Sequence, residues 1–214
     1  MTSFSLSFRN KLIFPDLGLL LVHFPNLTDV VLTANIDILH PQNTFTPLHH
    51  VCVSTLSITD SVIPHLCALL QRGALSFPSL THFILLDILP SSRHNRGIWS
   101  QLQSLLVNVT CFDIRATTEQ DCGSNIRQLL DVMPLIQQFG VFGDAVNNGL
   151  QALLMTPIKR IGELVVSDSN TDGSNVEVYY DKLSSELADR TDDIISIQFV
   201  NCPRILPRIR ELSW

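Results

Sequence analysis

The chain has 214 residues, 45% of them hydrophobic, and a formal net charge of −6, a composition that excludes a disordered chain and supplies ample material for a core. The longest apolar run, Leu17 to Phe24, spans eight residues and contains His23, which is too short for a membrane span. Nine acids against two bases between Glu163 and Asp193 exclude a clustered-cation surface for nucleic acid in that region and favour a solvated acidic face or a basic partner.

The N-terminus lacks a basic segment followed by a long apolar stretch, so no secretory signal is expected. Five widely spaced cysteines, Cys52, Cys67, Cys111, Cys122 and Cys202, read as reduced thiols of a cytoplasmic or nuclear protein. The sequons at Asn26 and Asn108 fall at the starts of predicted strands. Without a signal they are expected to carry no glycan.

Phe4-Ser5-Leu6-Ser7-Phe8 alternates apolar and polar residues and predicts a short edge strand. Pro15 to His23 predicts a helical turn or two, ended by Pro25. Phe24-Pro25-Asn26-Leu27-Thr28 then recurs as Phe77-Pro78-Ser79-Leu80-Thr81, which is the mark of internal repetition.

One template, apolar, two residues, apolar, one residue, apolar, fits seven times. The matches are Leu27/Val30/Leu32, Leu48/Val51/Val53, Leu80/Phe83/Leu85, Val109/Phe112/Ile114, Ile136/Phe139/Val141, Ile161/Leu164/Val166 and Ile194/Ile197/Phe199, at intervals of 21, 32, 29, 27, 25 and 33 residues. Each predicts a short strand with its last two apolar residues inward.

Helical spacing fills the intervals. It appears in Ile63/Leu66/Leu69/Leu70, with Asp60 as N-cap and Gly73 as stop, and in Trp99/Leu102/Leu105/Leu106. Ile126/Leu129/Leu130/Met133, Leu150/Leu153/Leu154 and Tyr179/Leu183/Leu187 follow the same rule. Polar residues between the strand apolars predict a parallel sheet with one face in water, rather than a doubly wound sheet buried on both.

The segments FPNLTDVVL, FPSLTHFIL and IISIQFVNC, the last with Cys202 in an asparagine-cysteine position, resemble the irregular leucine-rich repeats of fungal F-box proteins over about residues 24 to 202. The resemblance implies an α/β solenoid, a curved parallel sheet with helices on its convex side. It makes residues 1–214 one domain of about seven repeats, with capping segments at 1–23 and 203–214. It implies a substrate-recognition module of a ubiquitin ligase receptor, with a protein partner and ligase scaffold components as its contacts. No F-box helix trio precedes the first repeat, so the chain reads as a free-standing or truncated recognition half.

The residue before each second apolar position forms a column on the open face: Asp29, His50, His82, Cys111, Gln138, Glu163 and Ser196. Asp, His and Cys are metal-ligand types, yet known zinc spacings are absent and no metal ligands are assigned. The column reads instead as a partner-binding surface, with Asp29, His50, His82, Asp113, Arg115, Gln138 and Glu163 as candidate contacts. No catalytic residue and no cofactor is expected, and the chain reads as a non-enzyme without membrane or nucleic-acid partners. The alternative is a cytosolic hydrolase or metal-dependent enzyme using the His50/His82/Cys111 neighbourhood, with His82 as base for Cys111.

Asp168-Ser169-Asn170-Thr171-Asp172-Gly173 matches half of a calcium loop, but Tyr179 stands where a bidentate glutamate belongs. A flexible acidic turn is the expectation.

Overall fold

The computed structural model describes residues 3–6, 12–13, 23–33, 36–37, 47–87, 97–116, 123–143, 145–155, 161–167 and 194–200. The half calcium loop, the Tyr179/Leu183/Leu187 helix, the helical turns expected over residues 15–22, and Cys122 and Cys202 lie outside the described residues.

Twelve strands occur among the described residues: β1 (Ser3–Leu6), β2 (Leu12–Ile13), β3 (Asp29–Leu32), β4 (Ile36–Asp37), β5 (Leu48–His49), β6 (Thr55–Thr59), β7 (Leu75–Ser76), β8 (His82–Asp87), β9 (Cys111–Ala116), β10 (Gln138–Gly143), β11 (Ile161–Ser167) and β12 (Ile194–Val200). The helices are α1 (Ile63–Gln71), α2 (Gln103–Leu106), α3 (Gly123–Asp131) and α4 (Val146–Met155). Short 3-10 turns at Asp60–Val62 and Trp99–Leu102 lead into α1 and α2.

Eight strands form one sheet in the order β1-β3-β6-β8-β9-β10-β11-β12. Every pair is parallel, and spatial order follows chain order. The α/β class, the parallel sheet and the N-terminal edge strand β1 match the sequence reading. Two short parallel pairs, β2 with β4 and β5 with β7, lie outside this sheet.

The strand register explains the repeated segment. In Phe24-Pro25-Asn26-Leu27 the Leu27 amide donates to the Phe24 carbonyl at 3.1 Å, and Leu80 does the same to Phe77 at 3.1 Å. Each is a β-turn with proline at its second position, where the fixed φ is already suitable. Leu106 to Val109 closes the same turn at 3.1 Å without a proline. The hydroxyl residue that follows the first apolar position has its own task. The hydroxyl of Thr81 donates to the Ser54 carbonyl at 3.5 Å and that of Thr110 to the Thr81 carbonyl at 3.4 Å, while Ser54 reaches back to Thr28 at 3.4 Å.

The second repeat corrects the sequence reading. Leu48/Val51/Val53 is not a strand triplet: Val51 is 64% exposed, and among the described residues β5 pairs with β7 and not with the main sheet. The strand is β6, whose triplet Val53/Leu56/Ile58 is fully buried. The two triplets overlap at Val53 and fit the template equally. Only the second brings a hydroxyl, Ser54, to the position held by Thr28, Thr81 and Thr110. It also changes the first two intervals to 26 and 27 residues, in line with those that follow.

Inward columns build the core. Val30, Leu56, Phe83, Phe112, Phe139 and Leu164 form one buried row, and Leu32, Ile58, Leu85, Ile114, Val141 and Val166 another. Along the first, Phe83 stacks on Phe112 at 5.8 Å between ring centroids and Phe112 on Phe139 at 5.6 Å. Residues from all four helices join the same cluster, so the helices cover one sheet face. α1 ends in a Schellman motif, with Gly73 at φ +62°, its amide on the Leu70 carbonyl and the Ala74 amide on Leu69, both at 2.9 Å. Asp60, expected as an N-cap, is instead the first residue of the buried 3-10 turn, whose cap position is Thr59. Between helical layers, buried Trp99 donates its indole N–H to Asn125 Oδ1 at 3.2 Å.

Candidate functional site

The face opposite the helices carries three further columns. The first, in register, is Asp29, Thr55, His82, Cys111, Gln138, Glu163 and Ser196. Six of these seven positions are the expected ones. Thr55 takes the place assigned to His50.

His50 does not belong to the open face. It is buried at the start of the turn into Val53, the position Phe24 and Phe77 hold in their repeats, and its Nε2 lies 3.0 Å from the Phe24 carbonyl oxygen. The neighbourhood of His50 with His82 and Cys111 is therefore not formed, because β6 begins five residues later than the sequence reading placed that strand's open-face residue.

The second column runs Val31, Ser57, Ile84, Asp113, Gly140, Val165 and Gln198, and in the third Arg115 stands beside Phe142. These columns meet in a cluster across β8, β9 and β10. Asp113 Oδ2 lies 3.2 Å from His82 Nε2 and 3.3 Å from Arg115 Nη2. The Asp113 side chain is only 8% exposed, His82 is 30% exposed and Arg115 is 51% exposed. A carboxylate so enclosed is held by its hydrogen bonds and charge partners, since burial without them would be costly. Gly140 makes room for it: a Cβ there would run into Asp113 Oδ1 and come within 2.6 Å of the Phe142 ring. The Arg115 guanidinium lies over that ring at 5.1 Å, a cation–π contact.

Beside this group, Cys111 Sγ donates to Gln138 Oε1 at 3.3 Å. Burial pushes the Cys111 thiol up to about 12, with the Asp113 and Glu163 charges adding to the effect and Arg115 opposing it. Such an environment favours the thiol over the thiolate. Glu163 Oε1 accepts a hydrogen bond from Gln198 Nε2 on the next strand.

Of the candidate residues, the structure brings His82, Asp113 and Arg115 into direct contact and sets Gln138 and Glu163 on the two strands that follow β9. Asp29 lies two strands from His82, roughly 10 Å away at the usual strand spacing, and accepts a hydrogen bond from the Thr28 hydroxyl at 2.7 Å. Sequence reasoning missed Thr55, Gly140 and Phe142. The hydroxyl after the first apolar residue would have found Thr55, and aligning the triplets puts Gly140 and Phe142 beside Asp113 and Arg115.

No helix among the described residues is long and apolar enough to cross a membrane. Comparison of the sequence with protein-family models finds no match, and comparisons with curated proteins and with solved structures find none either.

Proposed function

We propose that this chain is a leucine-rich-repeat-like solenoid that binds a protein partner on its open strand face, with Asp29, His82, Asp113, Arg115, Gln138 and Glu163 as contacts. The observation that carries the reading is one-sided cover. Strands follow one another in chain order, helices pack on one face, and the other face presents an aligned column of polar side chains from Asp29 to Ser196. Repeat arrays use such a face for recognition. Mixed charge at its centre, with Arg115 beside His82 and Asp113, suits a peptide-like partner bearing both hydrogen-bonding and charged groups.

The chain acts by contact, without catalysis, in the cytoplasm or nucleus. Its place as the substrate-recruiting part of an F-box-type ubiquitin ligase receptor rests on the resemblance of FPNLTDVVL, FPSLTHFIL and IISIQFVNC.

Affinity capture of the intact chain from its own cell extract tests both parts. The comparison is with an open-face variant (His82→Ala, Arg115→Ala, Glu163→Ala) and a helix-face variant (Gln71→Ala, Gln103→Ala, Arg127→Ala). A partner lost only from the open-face variant supports the binding face. A partner retained by the open-face variant, or lost equally from both, overturns it. Ligase scaffold proteins recovered with all three forms support the receptor assignment, and their absence removes it.

A further inference from the structure

The geometry points to a transition-metal site of the zinc class on the open face, with His82, Cys111 and Asp113 as its three protein ligands. His82 and Cys111 are directly opposed across β8 and β9, and Asp113 is two residues along β9, so strand alternation turns all three to one side. Their ligand atoms all lie within 4.8 Å of one another. A tetrahedral zinc ion with bonds of about 2.0 to 2.3 Å sets its donor atoms about 3.3 to 3.8 Å apart. The edge between His82 and Asp113 is already 3.2 Å. The rest requires about an ångström of side-chain movement, with Cys111 Sγ leaving Gln138 Oε1.

Three observations favour an ion over three unrelated polar side chains. The donor set is one imidazole, one sulfur and one carboxylate, a mixture suited to borderline-soft divalent metals and poorly suited to calcium or magnesium. Bound as thiolate and carboxylate, Cys111 and Asp113 would balance the charge of a divalent ion, the thiol proton passing to solvent. Finally, the Asp113 carboxylate is fixed before any ion arrives, in the space that Gly140 leaves. Three protein ligands leave one position open to water or to a side chain of a bound partner.

Arg115 is the built-in competitor. Its guanidinium sits 3.3 Å from the same Asp113 oxygen that faces His82, so it and the ion cannot both hold that oxygen closely. Being half exposed and already over the Phe142 ring, it can retain the ring contact while releasing the carboxylate.

The test is a titration of the full chain, in a Cys52→Ser, Cys122→Ser, Cys202→Ser background, with cobalt(II) and then zinc. One equivalent of cobalt is expected to produce a thiolate-to-cobalt charge-transfer band that zinc abolishes. Cys111→Ser should remove the band. His82→Ala and Asp113→Asn should each weaken binding by more than the roughly 10- to 100-fold that loss of an outer-shell partner costs, and Arg115→Gln should strengthen it about tenfold. No stoichiometric band in the folded parent, or a band that survives Cys111→Ser, overturns the site. Because Asp113→Asn disturbs a buried group, the more exposed His82→Ala decides if that variant fails to fold: unchanged cobalt affinity in His82→Ala also overturns it.

Discussion

Asp113 and Gly140 face each other across β9 and β10, and the carboxylate of the first fills the space that a side chain on the second would need. Gly140→Ala should therefore displace the carboxylate from His82 and Arg115 and cost about 1 to 3 kcal/mol. Urea denaturation of Gly140→Ala, Asp113→Ala and the double variant checks this. The double variant should be less destabilised than the sum of the singles, because removing the carboxylate relieves the collision. Strict additivity would mean that the two residues do not share the space.

The register of β6 makes a second prediction. Leu56→Ala should cost about 2 to 5 kcal/mol as a buried truncation. Val51→Ser, at an exposed turn position, should change stability by no more than about 0.5 kcal/mol. The two midpoints in a denaturant titration would be reversed in order if Leu48/Val51/Val53 were the strand triplet.

The phenylalanine row gives a third. Phe112 stacks on both Phe83 and Phe139, whereas Phe139 meets Phe112 on one side and Leu164 on the other. Replacement by leucine largely preserves apolar bulk and isolates the ring contacts, each worth about 0.5 to 1.5 kcal/mol. Phe112→Leu should thus lose more stability than Phe139→Leu by about one such contact, measured as the difference in unfolding free energy.

Alkaline pH supplies a fourth. Burial lifts the Cys67 thiol from 9.0 to about 11, partly offset by hydrogen bonding to the backbone. In the unfolded chain the thiol ionises near pH 9 while the folded chain still holds its proton. Stability is therefore full below about pH 9 and falls as pH rises toward 11, by on the order of 1 kcal/mol per pH unit. Cys67→Ala should make this decline shallower when unfolding free energies are measured between pH 8 and 11, the raised Cys111 thiol sustaining the remainder. An identical slope in the variant would show that other groups set it.

Much of this fold was legible because its determinants are local. The apolar triplets set strand faces, the FPxLT segments set turns, and Gly73 marked the end of α1. The second repeat was misread because residues 48 to 58 contain two overlapping triplets, and apolar spacing cannot choose between them. What distinguishes them is contact with the preceding repeat, where the Ser54 and Thr55 amides and the Ser54 hydroxyl meet the Thr28 carbonyl, and no count of apolar residues contains it. The site was partly legible for the same reason. His82, Cys111 and Gln138 follow from the register, whereas the contact of Asp113 with His82 depends on a residue without a side chain, Gly140, one strand away.

The agreement between chain order and strand order also bears on how the molecule folds. Apart from the 33 residues between Ile161 and Ile194, successive triplets from Leu27 onward are separated by 25 to 29 residues, so each new strand finds its template in the segment made just before it. No pairing in the main sheet requires one end of the chain to find the other, and the entropy of loop closure stays nearly constant from strand to strand. The sheet can be assembled progressively during synthesis, and it opens most readily from its two edges. Amide exchange should therefore be slowest in β8, β9 and β10 and should quicken outward toward β1 and β12.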